Sequence, residues 1–304
     1  MRCPASVHIR EVAPRDGLQG EEIMVSTADK VRLVDMISAA GFPQVNATSF
    51  VSPKAVPQMA DAAEVMAGIK RHPDVVYDVS VPNMVGARRA VEARADAVVV
   101  FVAASDAGSR SNVRRSTEES MTEAEEVIRF VREVGLQAIG TVSTAFGSAY
   151  EGVIPAERVT ALADRFVRAG VTGLALGDTS GEGTPRQVAS LVGRLLDRFP
   201  AVDLSLHFHD TRGLALANVL AAMDAGATHF DSSIGGIGGS PFTKNSAGNV
   251  STEDLVHMCE EMGVKTGVDL DAVLHVYHYL EELLGHPLPG RLGRVGRSKT
   301  AVAG

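Results

Sequence analysis

The chain has 304 residues and a formal net charge of −8, from 29 lysines and arginines against 37 aspartates and glutamates. Hydrophobic residues make up 45% and charged residues 22%, which allows a large core and excludes global disorder. The acidic balance and the absence of tryptophan argue against a nucleic-acid-binding protein. The two cysteines, Cys3 and Cys259, predict neither a disulfide framework nor a structural zinc site.

No apolar run approaches the length that a transmembrane helix needs, since the longest, Ala97–Ala104, has the size of a strand. The first residues lack the apolar core of a signal peptide. We therefore expect a cytoplasmic protein that binds neither a membrane nor nucleic acid.

Short apolar runs alternate with helix-length amphipathic segments, which predicts eight strand–helix pairs. In chain order the pairs are Val7–Ala13 with Thr27–Ala40, Gln44–Phe50 with Ala60–Arg71, Val75–Val81 with Asn83–Arg94, Ala97–Ala103 with Ser116–Val134, Gln137–Ser143 with Pro155–Ala169, Gly173–Leu176 with Pro185–Phe199, Leu204–His209 with Gly213–Ala225, and His229–Ile234 with Thr252–Met262. Repeated units of this kind imply parallel strands joined by right-handed crossovers.

Eight such units most simply close into an α/β fold of the single (β/α)8 TIM-barrel type, with an open doubly wound sheet as the alternative. Asp269–Leu284 predicts an extra C-terminal helix. We place the catalytic barrel domain in residues 1–290 and a flexible C-terminal tail in residues 291–304, which are rich in glycine and arginine.

A barrel carries its active site at the carboxyl ends of its strands, so the polar residues found there are candidates. They follow strands 1, 6, 7 and 8 and comprise Arg15, Asp16 and Gln19, then Asp178, then His207 and His209, and finally the glycine-rich segment with Gly238 and Gly239 and the later Asn249.

His207 and His209 are two residues apart on a strand, so their side chains share one face. Two imidazoles there bind a metal or form a hydrogen-bonded filling of the barrel mouth. Asp16 and Asn249 favour the metal, because both lie at strand ends around the same pocket. Two nitrogen and two oxygen ligands without a thiolate suit Mg²⁺ or Mn²⁺, with Zn²⁺ and Co²⁺ as alternatives.

Arg15 stands beside Asp16, where its guanidinium can stabilise an oxyanion that develops on a substrate carbonyl. The alternative is a structural ion pair with Asp178 or Glu11. The glycine-rich segment, residues 235–241, does not match a dinucleotide-binding motif, and it suits either a hinged lid or a flexible loop.

Two groups of basic residues remain after these assignments. They are Arg110, Arg114 and Arg115 after strand 4, and Arg291, Arg294, Arg297 and Lys299 in the tail. They form a solvated surface or anchor a phosphorylated ligand.

Several motifs resemble the 3-hydroxy-3-methylglutaryl-CoA (HMG-CoA) lyase family, part of a superfamily of metal-dependent lyases and synthases. They are residues 10–19 (REVAPRDGLQ), 48–54 (TSFVSPK), 56–61 (VPQMAD), 207–211 (HFHDT), 248–256 (GNVSTEDLV) and 266–270 (TGVDL). The motifs occur in the right order, and the resemblance runs from about residue 7 to about residue 290.

The resemblance implies a TIM-barrel, metal-dependent carbon–carbon lyase or synthase that acts on a coenzyme A thioester and forms a homo-oligomer. It implies that Arg15 stabilises the enolate and that Gln19, with the loop glycines Gly238 and Gly239, belongs to the substrate pocket. Asp178 and Glu253 become supporting acidic residues of the catalytic site, and Asp178 or a histidine acting through water is the candidate base for the substrate hydroxyl. The implied ligands of a divalent metal, Mg²⁺ or Mn²⁺, are Asp16, His207, His209 and Asn249.

Two positions and one loop depart from the family pattern. Ser240 stands where the glycine-rich loop normally carries a cysteine, and a hydroxyl is a far weaker acid than a thiol. Asn46, a candidate substrate-binding residue, stands where strand 2 usually carries a glutamate, and the loop after strand 5 lacks the family's cysteines. These departures put the acyl group of the substrate in question more than the metal chemistry, and Ser240 becomes the candidate to relay a proton or position the substrate.

The leading hypothesis is retro-aldol (Claisen-type) cleavage of a 3-hydroxyacyl-CoA to acetyl-CoA and a ketone or keto acid through an enolate. HMG-CoA or a relative such as citramalyl-CoA is the expected substrate. The alternatives are an acetyl-CoA-dependent condensing synthase of the isopropylmalate synthase type and a non-catalytic barrel that binds acyl-CoA.

Overall fold

The computed structural model describes residues 3–238 and 248–297, and eight parallel strands in it close into a barrel. The strands are β1 His8–Glu11, β2 Gln44–Ser49, β3 Val76–Ser80, β4 Ala97–Ala103, β5 Gln137–Ser143, β6 Gly173–Asp178, β7 Asp203–Phe208 and β8 His229–Ser232. Their order around the barrel is β1-β8-β7-β6-β5-β4-β3-β2, and β1 pairs with both β8 and β2. The predicted TIM barrel is confirmed, because the closed ring excludes the open sheet.

Helices follow the strands and cover the outside of the barrel. They are α1 Thr27–Ala39, α2 Ala62–Gly68, α3 Met84–Glu92, α4 Asp106–Val113, α5 Thr117–Glu133, α6 Ala156–Ala169, α7 Pro185–Arg198, α8 Ala215–Asp224, α9 Thr252–Glu261, α10 Leu270–Leu284 and α11 Arg291–Val295. A short antiparallel hairpin pairs residues 147–148 with residues 152–153. No helix of the described residues has both the length and the apolar character needed to cross a bilayer.

The helix α4 was not predicted from the sequence. Its residues, DAGSRSNV, include glycine, serine and asparagine, which have weak helix propensity. It forms because the Ser105 side chain caps it by accepting the Gly108 N–H, while the Glu151 carboxylate accepts from the Ser105 hydroxyl and the Ala107 N–H. Glu151 lies 46 residues after Ser105 in the sequence, so a local sequence pattern does not predict this contact.

The segment predicted as a tail begins with a packed helix. In α11 Leu292 is buried, and Gly293 lies against the Tyr277 ring of α10. The Asp254 carboxylate accepts the backbone N–H groups of Arg291 and Leu292 at the start of this helix. The helix therefore packs on the barrel, while residues 298–304 lie outside the described part of the chain. The domain boundary at residue 290 stays a prediction.

The barrel wall packs tightly against its helices at Gly140 of β5. A Cβ atom there would lie 2.5 Å from the ring of Phe166 on α6, and that ring is fully buried. The site has no room for even one methyl group, since buried interiors are close-packed.

We predict that Gly140→Ala lowers the free energy of unfolding by about 1–3 kcal/mol, because the added methyl group displaces the Phe166 ring. Urea unfolding at constant pH measures the change. Gly193→Ala is the matched control, because no atom lies within 4 Å of a Cβ at this position in α7. It should be neutral or stabilising, and equal destabilisation of both variants would contradict the packing argument.

Candidate metal and catalytic site

Asp16 is placed by the turn that ends β1. The Val12 carbonyl accepts the N–H groups of Asp16 (2.7 Å) and Gly17 (3.2 Å), which coils residues 13–17 into one π-helical turn. The Glu11 carboxylate, fully buried, accepts the N–H groups of Ala13 and Ile234 and so fixes this turn to the residues after β8. Burial raises the pKa of Glu11 to about 8. Turns of this kind are frequent at functional sites.

The histidines and Asn249 meet because the chain returns along the end of β7. The N–H of Asp210 donates to the Gly248 carbonyl and the N–H of Val250 donates to the Phe208 carbonyl, both at 2.9 Å. These bonds pair His209 with Asn249. His207 and His209 lie on one face, as their spacing predicts, with ring centroids 5.1 Å apart.

Asp16, His207 and His209 form a cluster that can hold a metal ion. The Nε2 atoms of the histidines are 3.1 Å apart, and they lie 3.7 Å and 4.0 Å from Oδ2 of Asp16. Asn249 donates from Nδ2 to Asp16 Oδ2 at 2.9 Å, while its Oδ1 is buried with no hydrogen-bond partner among the described residues. A buried, unsatisfied acceptor is costly, so a ligand role explains it. The donor set fits a divalent cation.

The charges in this cluster depend on one another. Burial alone would raise the pKa of Asp16, but Arg15 and the two histidines outweigh it and hold that pKa below its usual range. Burial would lower the pKa of His207, but the hydrogen bond to Asp231 and the charge of Asp16 raise it above its usual value. Asp16 is therefore ionised at neutral pH, as a metal ligand must be.

Arg15 pairs with its neighbour Asp16 rather than with Asp178 or Glu11. Its Nη1 donates to Asp16 Oδ1 at 2.6 Å, and its Cζ lies 5.1 Å from the centroid of the Phe101 ring. Its Nε is buried and has no hydrogen-bond partner in the described ranges. Gln19 joins the same group by donating to Asp16 Oδ1 at 3.3 Å. Among the residues that the structure describes, the guanidinium thus has one donor without a partner beside the candidate ligands.

Two other candidate residues have different partners. The carboxylate of Asp178 accepts the N–H groups of Glu182 and Gly183 in its own loop, and burial raises its pKa to about 6. Glu253, at the start of α9, accepts the N–H of Gly235 at 3.0 Å. Both side chains therefore brace backbone near the barrel mouth. Their predicted roles as catalytic residues stay predictions.

Asn46 lies lower in the barrel and donates from Nδ2 to Asp78 Oδ1 at 2.5 Å. It is 1% exposed, so it meets the protein rather than open solvent. Its role in substrate binding stays a prediction.

Of the glycine-rich segment, residues 235–238 belong to the described part of the chain. Gly238 has a φ of +102°, and a Cβ there would lie 2.6 Å from Nδ2 of Asn249 and 2.7 Å from the Asp16 carbonyl oxygen. Glycine is required at this position for both reasons. Gly239 and Ser240 lie outside the described residues, so their predicted roles stay predictions.

Sequence reasoning missed a group of buried charges beneath the cluster, formed by Arg10, Asp78 and Asp231. Arg10 donates to both oxygens of Asp78 and to Asp231, and Asp231 Oδ2 lies 3.2 Å from Nδ1 of His207. Asp78 is the one charged residue of β3 (VYDVS), and Arg10 and Asp231 also lie within strands. That signal could have identified them.

The comparisons with known proteins agree with this geometry. The HMGL-like family model matches residues 6–279. The chain belongs to the HMGL-like family. It is 42% identical to the hydroxymethylglutaryl-CoA lyase YngG of Bacillus subtilis over 98% of this chain and 100% of that protein. It is 43% identical to the mitochondrial hydroxymethylglutaryl-CoA lyase of Bos taurus over 92% of this chain and 86% of that protein.

A solved structure of the family shows the same fold with ligands. The HMG-CoA lyase from Acinetobacter baumannii, in complex with coenzyme A and 3-methylmalate, superposes with a TM-score of 0.94. The two are 41% identical, and the match covers 98% of this chain and 97% of that one. The family resemblance predicted from the motifs is therefore confirmed, and the chain is a hydroxymethylglutaryl-CoA lyase-like enzyme.

We predict that Asp16→Asn raises the dissociation constant for Mn²⁺ by more than about 100-fold, because loss of an outer-shell partner alone costs 10–100-fold. Titration of metal-free protein with Mn²⁺, followed by the electron paramagnetic resonance of the free ion, measures it. Asp164→Asn removes an exposed carboxylate that pairs with Arg198 and serves as the control. Unchanged affinity in Asp16→Asn would exclude Asp16 as a ligand.

Burial raises the pKa of Glu253 from its ordinary 4.5 to about 7. The folded state then binds more protons than the unfolded state between these values, so stability falls as the pH rises through them. At 1.36 kcal/mol per unit the loss is roughly 3 kcal/mol. We predict that Glu253→Gln, which keeps an acceptor for Gly235, removes this loss.

Urea unfolding at several pH values between 4 and 8 tests this prediction. The stability of Glu253→Gln should rise relative to the unmodified protein as the pH increases. Glu126→Gln, at an exposed position of α5, should leave the pH dependence as it is. Parallel stability curves for the Glu253→Gln variant and the unmodified protein would contradict the burial argument.

Proposed function

We propose that this protein cleaves HMG-CoA to acetyl-CoA and acetoacetate. The observation that carries the proposal is the Asp16 carboxylate, which lies within 4.0 Å of both histidine Nε2 atoms and accepts the Arg15 guanidinium at 2.6 Å. A ligand cluster and a cation that meet at one carboxylate suit a reaction in which a hydroxyl is ionised beside a developing enolate. The curated lyases above, matched over nearly their whole length, support the same direction of reaction.

The group expected in the cluster is a divalent metal, Mg²⁺ or Mn²⁺, held by Asp16, His207, His209 and Asn249. When bound, such a cation supplies Lewis acidity that makes a coordinated hydroxyl easier to ionise. The absence of a thiolate from the donor set favours these ions over softer metals.

The 3-hydroxyl of the substrate loses its proton to a base, and the C2–C3 bond breaks. C3 leaves as the ketone carbon of acetoacetate, and the electron pair moves onto the thioester, giving the enolate of acetyl-CoA. The guanidinium of Arg15 donates hydrogen bonds to the enolate oxygen. A proton from an acid then adds to C2 and completes acetyl-CoA.

We assign the carboxylate of Asp178 a supporting role, because its oxygens already accept two backbone N–H groups. Glu253 supports Gly235, the first residue of the glycine-rich segment, in the same way. Ser240, in the position of the family cysteine, is our candidate to relay a proton from water to C2. A thiol is the stronger acid, so this chain should depend more on water for that step.

A second candidate substrate is citramalyl-CoA, which the same steps would cleave to acetyl-CoA and pyruvate. It is favoured by the Acinetobacter baumannii relative, which holds coenzyme A with 3-methylmalate, a methyl-branched hydroxydicarboxylic acid of the same class as citramalate. Asn46 and Ser240 are the residues whose departure from the family pattern allows a different acyl group.

The remaining assignments follow from the family. A coenzyme A thioester is the expected ligand, and we propose a homo-oligomer. The relatives include proteins described as cytoplasmic in Danio rerio and as mitochondrial in Bos taurus. We propose the cytoplasm for this chain, as for the Danio rerio relative.

The decisive experiment incubates purified protein and Mn²⁺ with HMG-CoA or citramalyl-CoA and follows acetyl-CoA together with acetoacetate or pyruvate. Release of acetyl-CoA and acetoacetate from HMG-CoA supports the proposal. Preferred cleavage of citramalyl-CoA supports the second candidate. Tight binding of both thioesters without product would instead support a non-catalytic barrel, and net condensation of acetyl-CoA would support a synthase.

The same assay tests Arg15. Arg15→Met should lower kcat by about 100–1,000-fold, as loss of one oxyanion donor does elsewhere, and change KM far less. Arg198→Met is the control, since Arg198 forms an exposed ion pair with Asp164. A normal kcat in Arg15→Met would exclude the guanidinium from the enolate step.

A further inference from the structure

Below the candidate ligands, one level of the barrel interior is crossed by a chain of side chains from neighbouring strands. Arg10 on β1 is the backbone partner of Asp231 on β8, and Asp231 is the partner of His207 on β7. On the other side of β1, Arg10 is the partner of Gln44 on β2. The register of the closed sheet therefore places a cation, a carboxylate and a candidate metal ligand side by side.

The middle carboxylate is shared between the cation and the histidine. Arg10 Nη1 lies 3.0 Å from Asp231 Oδ2, and Nδ1 of His207 lies 3.2 Å from the same oxygen. The hydroxyl of Ser205 donates to the other oxygen at 2.8 Å. Because an ionised carboxylate only accepts, Nδ1 of His207 must carry the hydrogen. Its Nε2 then faces Asp16 and His209 across 3.7 Å and 3.1 Å.

Arg10 is itself held from the opposite side. Its Nε and Nη2 donate to the two oxygens of Asp78, each at 2.9 Å, a bidentate arrangement. Gln44 and Asn46 donate to the same carboxylate at 2.8 Å and 2.5 Å. Asn46, in the position where the family pattern has a glutamate, thus supports a carboxylate that β3 supplies.

We propose that Arg10 is a positioning residue for the metal centre: clamped by Asp78, it holds Asp231 against His207 and so directs His207 Nε2 toward Asp16 and His209. This inference rests on the metal assigned in the proposed function. Arg10 is 5% exposed, and all three of its guanidinium nitrogens are engaged. It therefore acts through Asp231 rather than by touching the substrate.

Orientation by a carboxylate on the far nitrogen is a general way to fix a histidine ligand, and its loss costs metal affinity by 10–100-fold. The test removes the clamp without changing the net charge around the metal. Arg10→Met/Asp78→Asn takes away one positive and one negative charge, so a loss of affinity reports orientation rather than electrostatic attraction. Both new side chains have nearly the volume of those they replace.

The measurement is the dissociation constant for Mn²⁺ in metal-free protein without substrate, with circular dichroism melting to establish folding. The double variant should bind Mn²⁺ about 10–100-fold more weakly, and excess Mn²⁺ should restore kcat with KM unchanged. Arg10→Lys keeps the charge but loses the forked guanidinium, so its dissociation constant for Mn²⁺ should lie between those of the unmodified protein and the double variant. Lys30→Met/Asp61→Asn removes another buried ion pair, between α1 and the start of α2, and should bind Mn²⁺ normally.

Equal affinity in the folded Arg10→Met/Asp78→Asn variant and the unmodified protein overturns the proposal, as does an equal loss in the Lys30→Met/Asp61→Asn control. If the double variant does not fold, Asp231→Asn decides. It keeps the size of the side chain, and an unchanged dissociation constant there overturns the proposal, while about a tenfold weakening supports it. Failure to cleave HMG-CoA would contradict the proposed substrate and leave this metal measurement valid.

Discussion

The contact between the Asp16 carboxylate and the imidazoles of β7 depends on closure of the sheet. Asp16 follows the first strand and the histidines end the seventh, about 190 residues later in a chain of 304. They meet because β8 pairs with β1 on one side and with β7 on the other. In an open sheet the first strand would lie away from the seventh. The chemistry of the family therefore requires the closed barrel, which brings these side chains together.

The closed ring also explains why so many charges are tolerated inside the protein. Arg10, Arg15, Asp16, Asp78 and Asp231 are at most partly exposed, and each is hydrogen-bonded to at least one of the others. Removing one member of such a group leaves a buried charge unpaired, which lowers the free energy of unfolding by about 3–5 kcal/mol. The group gains little for stability as a whole, since apolar residues could fill the same volume. Its value lies in the orientation that it gives to the ligands.

Much of the fold could be predicted from the sequence, because the hydrophobic periodicity of a strand or helix extends over a whole segment and does not depend on any single residue. Strands such as Ala97–Ala103, apolar on both faces, and helices capped by serine, such as Thr117–Glu133, can be recognised from their own residues. The helix at Asp106–Val113 could not be recognised in this way, because its stabilising partner Glu151 is remote in sequence. The candidate ligands could be identified from residue type and from their position at strand ends. The Arg10–Asp78 pair that supports them could not, because the strand register decides that Arg10 lies beside Asp231.

Gly238 and Gly248, the described residues on either side of 239–247, both lie beside candidate metal ligands. Gly238 fits between Asn249 and the Asp16 backbone, and the carbonyl of Gly248 accepts a bond from Asp210. The nine residues of the sequence between these two positions, 239–247, therefore begin and end beside the candidate metal site. A substitution among them replaces none of the candidate ligands, so the acyl group that the enzyme accepts and its metal affinity can be altered by separate mutations.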